Sequence, residues 1–328
     1  FVGLSPAMAG VIEPRLARVQ QRHGKPVFAV WMAGPDGALH GLRTHGVAAF
    51  DDVTRAVVAL SHLARAGTVP RAPDADAGDP ARAEATRRIL RAAMAEGAVS
   101  LSERRAKALL VPYGVPVAAD IAVASADEAE RATLAIGGKV VVKAEADDLL
   151  HKSEAGAVRL NVTARDAAEA YRAVVAGASR HLGREISAAV VQPMIPPGFE
   201  VLLGARRDPQ FGPTVSVGLG GVMTEVLSDV VTELAPVSEA IALSMIERLR
   251  GARLFGEFRG RPALDRAALA RAIVGVSQLA ADAGELLAEL DVNPVILKPD
   301  GEGCVAVDAA AVLSAQNQNS QSQDANDA

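Results

Sequence analysis

Lys143 closes a short β-branched run, Val140-Val141-Val142. A polar, acidic stretch follows (Glu145, Asp147, Asp148, then His151-Lys152-Ser153-Glu154), and Gly156 leads into a second apolar run from Ala157. A lysine leaving a strand beside a titratable loop residue is one way proteins meet a triphosphate. Its ammonium is a point charge on a flexible stem that suits phosphate oxygens, and loops on rigid scaffolds carry much of protein chemistry. The same residues also read as a hairpin with solvated charges. Gly218-Leu219-Gly220-Gly221 lets backbone approach a ligand without side-chain obstruction, or simply turns the chain. Glu200 opens a strand after Pro196-Pro197-Gly198, where it would bond a ribose hydroxyl or stand in water. Asn293, within Asp291-Val292-Asn293-Pro294, lies at a bend in one strand-like run, and Asp308 ends the run that pairs with it. If those runs form a hairpin the two side chains converge, and an amide oxygen with a carboxylate, completed by phosphates and waters, is an ordinary Mg²⁺ shell.

Strands and turns must hold these groups, and the pattern predicts a mixed α/β chain. Lys25–Ala33 is a continuous apolar run, as in a strand buried on both faces. Residues 50–66 have a helical period. One strand and two helices are the tail of an α/β domain rather than a whole one. Arg71–Asp79 is a linker, and Asp79 caps a helix that starts at Pro80 and is stopped by Gly97. Ser100-Leu101-Ser102-Glu103 reads as a capping box for a second helix ending near Val111-Pro112. Ser125 caps a helix over 126–136 and Gly137-Gly138 ends it. The 139–158 hairpin, a helix over 164–177 and strands at 185–192, 200–205, 214–218 and 232–235 follow. Helices over 238–249 and 265–283 precede a closing strand pair, 289–297 with 304–308. Ser314–Ala328 contains no apolar residue larger than alanine and is predicted to be disordered.

Composition narrows the function. The 328 residues suffice for two domains, and the net charge of −5 offers no broad basic field for nucleic acid. No run of eighteen apolar residues suggests a membrane span. The single cysteine, Cys304, excludes an intramolecular disulfide, fits a reducing cytoplasm, and reads as a buried structural thiol rather than a nucleophile. His40 and His45 read as surface residues. The chain starts at Phe1, which looks like part of a longer polypeptide.

Six segments in order then resemble one family: YGVPV at Tyr113, VVVK ending at Lys143, LLHKSEAGAV at Leu149, and the stretch from Val191 to Pro236. ELDVNPVIL from Glu289 and VAVDAAAVL from Val305 complete the set. Residues 101–313 thus resemble the ATP-grasp region of the ADP-forming acyl-CoA synthetases, relatives of succinyl-CoA synthetase. KPVFAVWMAG resembles the tail of the CoA-ligase domain that precedes this region in fused members. The resemblance implies a two-subdomain ATP-grasp fold over 98–313, with subdomains 98–191 and 192–313. A linker and helix (71–97) and the C-terminal part of a flavodoxin-like CoA-ligase domain (1–70) would precede it.

It also implies roles. Lys143 would hold nucleotide phosphates, Gln192, Pro193 and Met194 would form the hinge at the adenine, and Glu200 would lie near the ribose. Gly220 and Gly221 would line the phosphate region with Glu225, and Asn293 and Asp308 would hold Mg²⁺. Asp291 matches an acidic position facing an incoming phosphohistidine. His151 falls on a histidine that in some members is a second phosphate carrier, a chemistry imidazole can perform. ATP or ADP and Mg²⁺ are the implied cofactors. CoA and acyl substrates, a CoA-binding domain or subunit carrying the primary phosphohistidine, and further copies in an oligomer are the implied partners. Glu145-Ala146-Asp147 replaces the usual Ser-Pro approach to the loop, and Ala157 stands where glycine is common. A carboxylate–amine ligase would have no use for a phosphate-carrying His151. A nucleotide- or acyl-CoA-sensing module would be expected to lose the lysine, histidine or metal pair, all present here.

Overall fold

The computed structural model describes residues 6–34, 37–68, 78–149, 152–221, 229–257 and 260–314. His151 and Glu225 lie outside them, as do 71–77 of the expected linker and 315–328 of the expected tail. The chain divides into two compact units, residues 1–71 and 72–328. Among the described residues no helix is long and apolar enough to cross a membrane.

The first unit contains α1 (Pro6–His23), β1 (Phe28–Val30), α2 (Ala38–Thr44), β2 (Ala48–Phe50) and α3 (Val53–Thr68). β1 and β2 pair in parallel, Phe28 opposite Ala48, around a small core holding Trp31, Leu42 and Val47. The reading of one strand and two helices is therefore corrected. The second strand is three residues long and two are alanines, too short for its period to show.

The second unit begins with α4 (Pro80–Ala95), whose cap is as expected: the Asp79 carboxylate accepts from the Ala81 N–H, with Pro80 at the first helical position. β3 (Ser100–Leu101) and α5 (Glu103–Leu110) follow. No capping box forms. Ser100 belongs to a strand, the helix starts at Glu103, and Ser102 stands at its N-cap without a side-chain cap. The Ser102 Oγ donates instead to Glu145 Oε1 at 2.9 Å.

Two antiparallel sheets make up the rest. The smaller, in the order β4–β7–β5–β6, is built from β4 (Ile121–Val123), β5 (Val140–Ala144), β6 (Val158–Val162) and β7 (Ala189–Pro193). α6 (Ala126–Ile136) and α7 (Ala167–Leu182) supply buried alanines, Tyr171 and Val174 to the core on one of its faces. The larger sheet comprises β8 (Phe199–Asp208), β9 (Gly212–Leu219), β10 (Val230–Leu234), β11 (Leu287–Leu297), β12 (Cys304–Ala306), β13 (Ala310–Leu313) and β3, in the order β10–β9–β8–β11–β13–β3 with β12 on β11. α4, α5, α8 (Glu239–Arg248) and α9 (Arg266–Ala283) pack into its core.

The chain crosses from the smaller sheet to the larger between Pro193 and Phe199, and α5 and β3 reach the larger core earlier in the sequence. The closing strand pair is a three-strand arrangement. β12 and β13 both lie against β11 with one continuous register, Val295 opposite Ala306 and Asp291 opposite Ala310. The ladder is interrupted at 307–309, where Asp308 sits, and shifts register between Leu287 and Glu289.

Candidate functional site

β5 alternates. Val140, Val142 and Ala144 enter the smaller core, so Lys143 faces the other way. It meets little solvent there: its side chain is 6% exposed. Its Nζ lies 2.7 Å from Glu103 Oε1 and 4.0 Å from Asp308 Oδ2, and it donates to the Val307 carbonyl at 3.5 Å. Glu103 is the first residue of α5. One turn on, Lys107 reaches the same oxygen at 2.7 Å and both oxygens of Asp120 at 3.0 and 3.1 Å. Lys152, on the loop into β6, lies 3.1 Å from Glu103 Oε2 and donates to both Asp308 oxygens at 3.2 and 3.4 Å. Gln192 on β7 is fully buried, and its Nε2 donates to Asp120 Oδ1 at 3.2 Å and the Val307 carbonyl at 3.1 Å. Both neighbours are acceptors, which settles which end of the amide faces them. Among the described residues its Oε1 has no hydrogen-bond partner.

Three ammonium groups thus face three carboxylates, a neutral cluster where any one charge alone would be expensive. Burial pushes the Glu103 carboxyl up, but Lys143, Lys152 and Lys107 together outweigh it and hold the group at about 2. Burial would likewise lower the Lys152 ammonium, yet Glu103 and Asp308 raise it above its ordinary value. Asp308 and Asp120 are both pushed up, chiefly by burial. The hairpin with solvated charges is excluded for these lysines.

The acidic turn after β5 is occupied as well. Glu145 pairs with Arg104 at 3.0 Å, and Asp147 pairs with Arg105 at 2.7 Å and accepts from the Ser102 N–H at 2.7 Å. The Glu145-Ala146-Asp147 departure therefore ties the start of the loop to the start of α5.

A second group forms around Glu200. The Gly220 N–H donates to the Glu200 carbonyl at 2.8 Å, and a Cβ on Gly220 would stand 2.7 Å from the Glu200 carbonyl carbon. Gly221 has φ of +63°, and a Cβ there would stand 2.7 Å from Glu200 Oε2. These glycines admit the Glu200 strand closely. Met194, just past β7, donates its N–H to the Lys139 carbonyl at 3.1 Å, and Pro193 pairs with Val140.

Asn293 and Asp308 lie opposite one another across the interrupted ladder, next to the Val307 N–H that donates to the Pro294 carbonyl at 2.9 Å. Their hard oxygen donors suit Mg²⁺. Asp291 stands nearby on β11, its carboxyl pushed up to about 6 by partial burial, then by Glu289 and Asp308. A cavity of about 610 Å³ lies beside the crossing, lined by Pro197, Phe199, Leu264, Ile296 and Lys298 among others. It contains none of the groups above, and the ionic chemistry resides in the cluster.

Residues 92–313 match the family model described as the ATP-grasp domain. The beta subunit of an ADP-forming acetate–CoA ligase I from Pyrococcus furiosus is 36% identical over 234 residues, 71% of this chain and 99% of that subunit. This chain belongs to the ADP-forming acyl-CoA synthetases. Another member of these synthetases, the ADP-forming acetate–CoA ligase I of Archaeoglobus fulgidus, is 32% identical over 88% of this chain and 42% of its own length. A solved acetyl-coenzyme A synthetase 1 from Ca. Korarchaeum cryptofilum, in complex with coenzyme A, Ca-AMPCP and HgCl⁺, superimposes with a TM-score of 0.65 at 37% identity. It covers 70% of this chain and 99% of that one.

Within this ATP-grasp portion, the expected site residues Lys143, Gln192 and Asp308 share one cluster, and Glu200, Gly220 and Gly221 another. Reasoning from sequence missed Glu103, Lys107, Asp120 and Lys152 as members of the first. A signal existed for two of them. Glu103, Ala106, Lys107 and Leu110 fall on the buried stripe of α5, so two charges occupy positions where apolar residues are expected.

Proposed function

We propose that this synthetase portion binds ATP or ADP with Mg²⁺ and passes a phosphoryl group between the nucleotide and a CoA-binding domain or subunit. The overall reaction is acid + CoA + ATP ⇌ acyl-CoA + ADP + phosphate. The observation that carries this reading is the convergence of Lys143 and Lys152 beside Asp308, between the two sheets, in a chain of this family.

In the ATP-consuming direction an imidazole nitrogen of His151 attacks the γ-phosphorus. An N–P bond forms, the bond to the β,γ-bridging oxygen breaks, and ADP leaves with the electron pair. The phosphoryl group then moves to the acceptor histidine of the CoA-binding part, the His151 N–P bond breaking as the new N–P bond forms, and Asp291 faces that incoming residue. Lys143 neutralises phosphate charge, since phosphoryl transfer needs positioning and electrostatic stabilisation above all. Gln192, Pro193 and Met194 form the hinge at the base, Glu200 takes the ribose, and Gly220, Gly221 and Glu225 complete the phosphate region. Asn293 and Asp308 would hold Mg²⁺, which supplies charge neutralisation along the phosphate chain. The cytoplasm, and an oligomer including the CoA-binding partner, are the proposed setting.

The test is labelling from [γ-³²P]ATP with Mg²⁺, comparing the chain with His151→Ala and Lys143→Ala, alongside calorimetric nucleotide binding. Acid-labile label lost in both variants is the expected result. Absence of any nucleotide binding by the unsubstituted chain would remove the reading.

A further inference from the structure

Glu103 has a part in this site that the assignments above leave open. Its Oε1 meets Lys107 and Lys143, each at 2.7 Å, and its Oε2 meets Lys152 at 3.1 Å. Lys143 comes from a strand and Lys152 from the loop that follows, so one carboxylate joins two segments through its two oxygens. Glu103 is itself fixed against that strand. Its neighbour Ser102 donates its N–H to Asp147 and its Oγ to Glu145, both on the turn leaving β5. Asp308 completes the group, 3.2 Å from Lys152 and 4.0 Å from Lys143. Lysine side chains carry about 2 kcal/mol of rotamer entropy each, so two ammonium groups stay side by side only if something holds them.

We propose that Glu103 is a positioning residue of the phosphoryl-transfer site, its carboxylate holding the Lys143 and Lys152 ammonium groups together so that both address one phosphate chain. Lys152 thereby becomes a second phosphate-directed cation beside Lys143. The inference rests on the nucleotide reading above.

The role has a kinetic signature. Removing the carboxylate's charge leaves the field at the lysines at least as positive, so attraction for a polyphosphate persists. Orientation is lost, and a misplacement of about 1 Å can cost on the order of 100-fold in rate. For Glu103→Gln we expect the Kd for Mg-ADP, measured by calorimetry on the chain, to stay within about threefold or tighten, while turnover with the CoA-binding partner falls at least about tenfold. Lys152→Met, which leaves Lys107 and Lys143 on Glu103, should lower turnover similarly and serves if the glutamine variant folds poorly. The double variant should be no slower than the slower single one, because both changes break the same contact.

Turnover of Glu103→Gln at the unsubstituted rate, additive losses in the double variant, or nucleotide affinity and rate both falling in step with a loss of folded protein would overturn the proposal. Failure of the unsubstituted chain to bind ADP would instead sink the nucleotide reading itself, and this inference with it.

Discussion

A carboxyl as buried as Glu103 would ordinarily be neutral; here three lysines keep it charged. That has a consequence for stability. The folded-state value near 2 lies below the usual 4.5, so the charged form stabilises the fold fully above about pH 4.5. The contribution disappears as pH falls from there through about 2, and is worth on the order of 3 kcal/mol. Asp120 and Asp308, pushed upward first by burial and then by the Glu103 charge, act in the opposite sense, so the difference between the unsubstituted chain and Glu103→Gln reports Glu103 together with the relief of these two neighbours. Urea midpoints followed from pH 6 to pH 3 should draw together for the two proteins toward the acid end. Parallel curves would show that Glu103 is not held ionised. Lys143→Ala should also destabilise, by about 3–5 kcal/mol, because it removes one partner from a buried set and leaves the carboxylates in excess. A change below about 1 kcal/mol in the same urea experiment would mean the cluster is wetter than its burial indicates.

Between elements, close approach is set by glycine. A Cβ on Gly177 in α7 would stand 2.6 Å from the Gly156 carbonyl oxygen and 2.8 Å from that of Ala155. Both are backbone atoms of the loop that carries Lys152. Gly177→Ala should destabilise by about 1–3 kcal/mol. It should also raise amide exchange over 153–157, because the loop must move away from the helix. Unchanged exchange there would locate the strain in α7 instead. Gly220→Ala meets the Glu200 backbone at 2.7 Å, which cannot rotate aside, and a loss of similar size is expected in thermal unfolding. Ala157 tells the opposite story. It is fully buried in the smaller core, so its methyl contributes packing.

At the scale of the whole molecule, the two units have separate cores, and the smaller is built on few side chains. Small cores are marginal. Trp31, the sole tryptophan, is 1% exposed within it, so tryptophan fluorescence reports the first unit alone. Far-ultraviolet dichroism is dominated by the second. In guanidinium the fluorescence transition should come at lower denaturant than the dichroism transition. Coincident transitions would show that the units unfold as one.

How much was legible in the sequence follows from the range of the interactions. Helix caps at Asp79 and Ser125, the apolar strand ending in Lys143 and the β11–β12 pairing depend on neighbours a few residues away, and their signals are local. The ordered segments from Tyr113 to Val305 identified the ATP-grasp family, because their motifs are specific in type and order. Ser100 and Glu103 show where this stops. Their spacing satisfies a capping box, yet Ser100 is drawn into a strand against β13 and Glu103 is turned into a buried cluster, since pairing with Val312, with the distant Lys143 and Lys152 and with Lys107 one turn on outweighs a local cap. That Lys143, Lys152, Lys107, Glu103, Asp120 and Asp308 form one neutral set was decided only by the tertiary structure. These residues come from α5, β5, two loops and the break between β12 and β13, and charge compensation in a dry interior depends on distance in space, to which sequence separation is no guide.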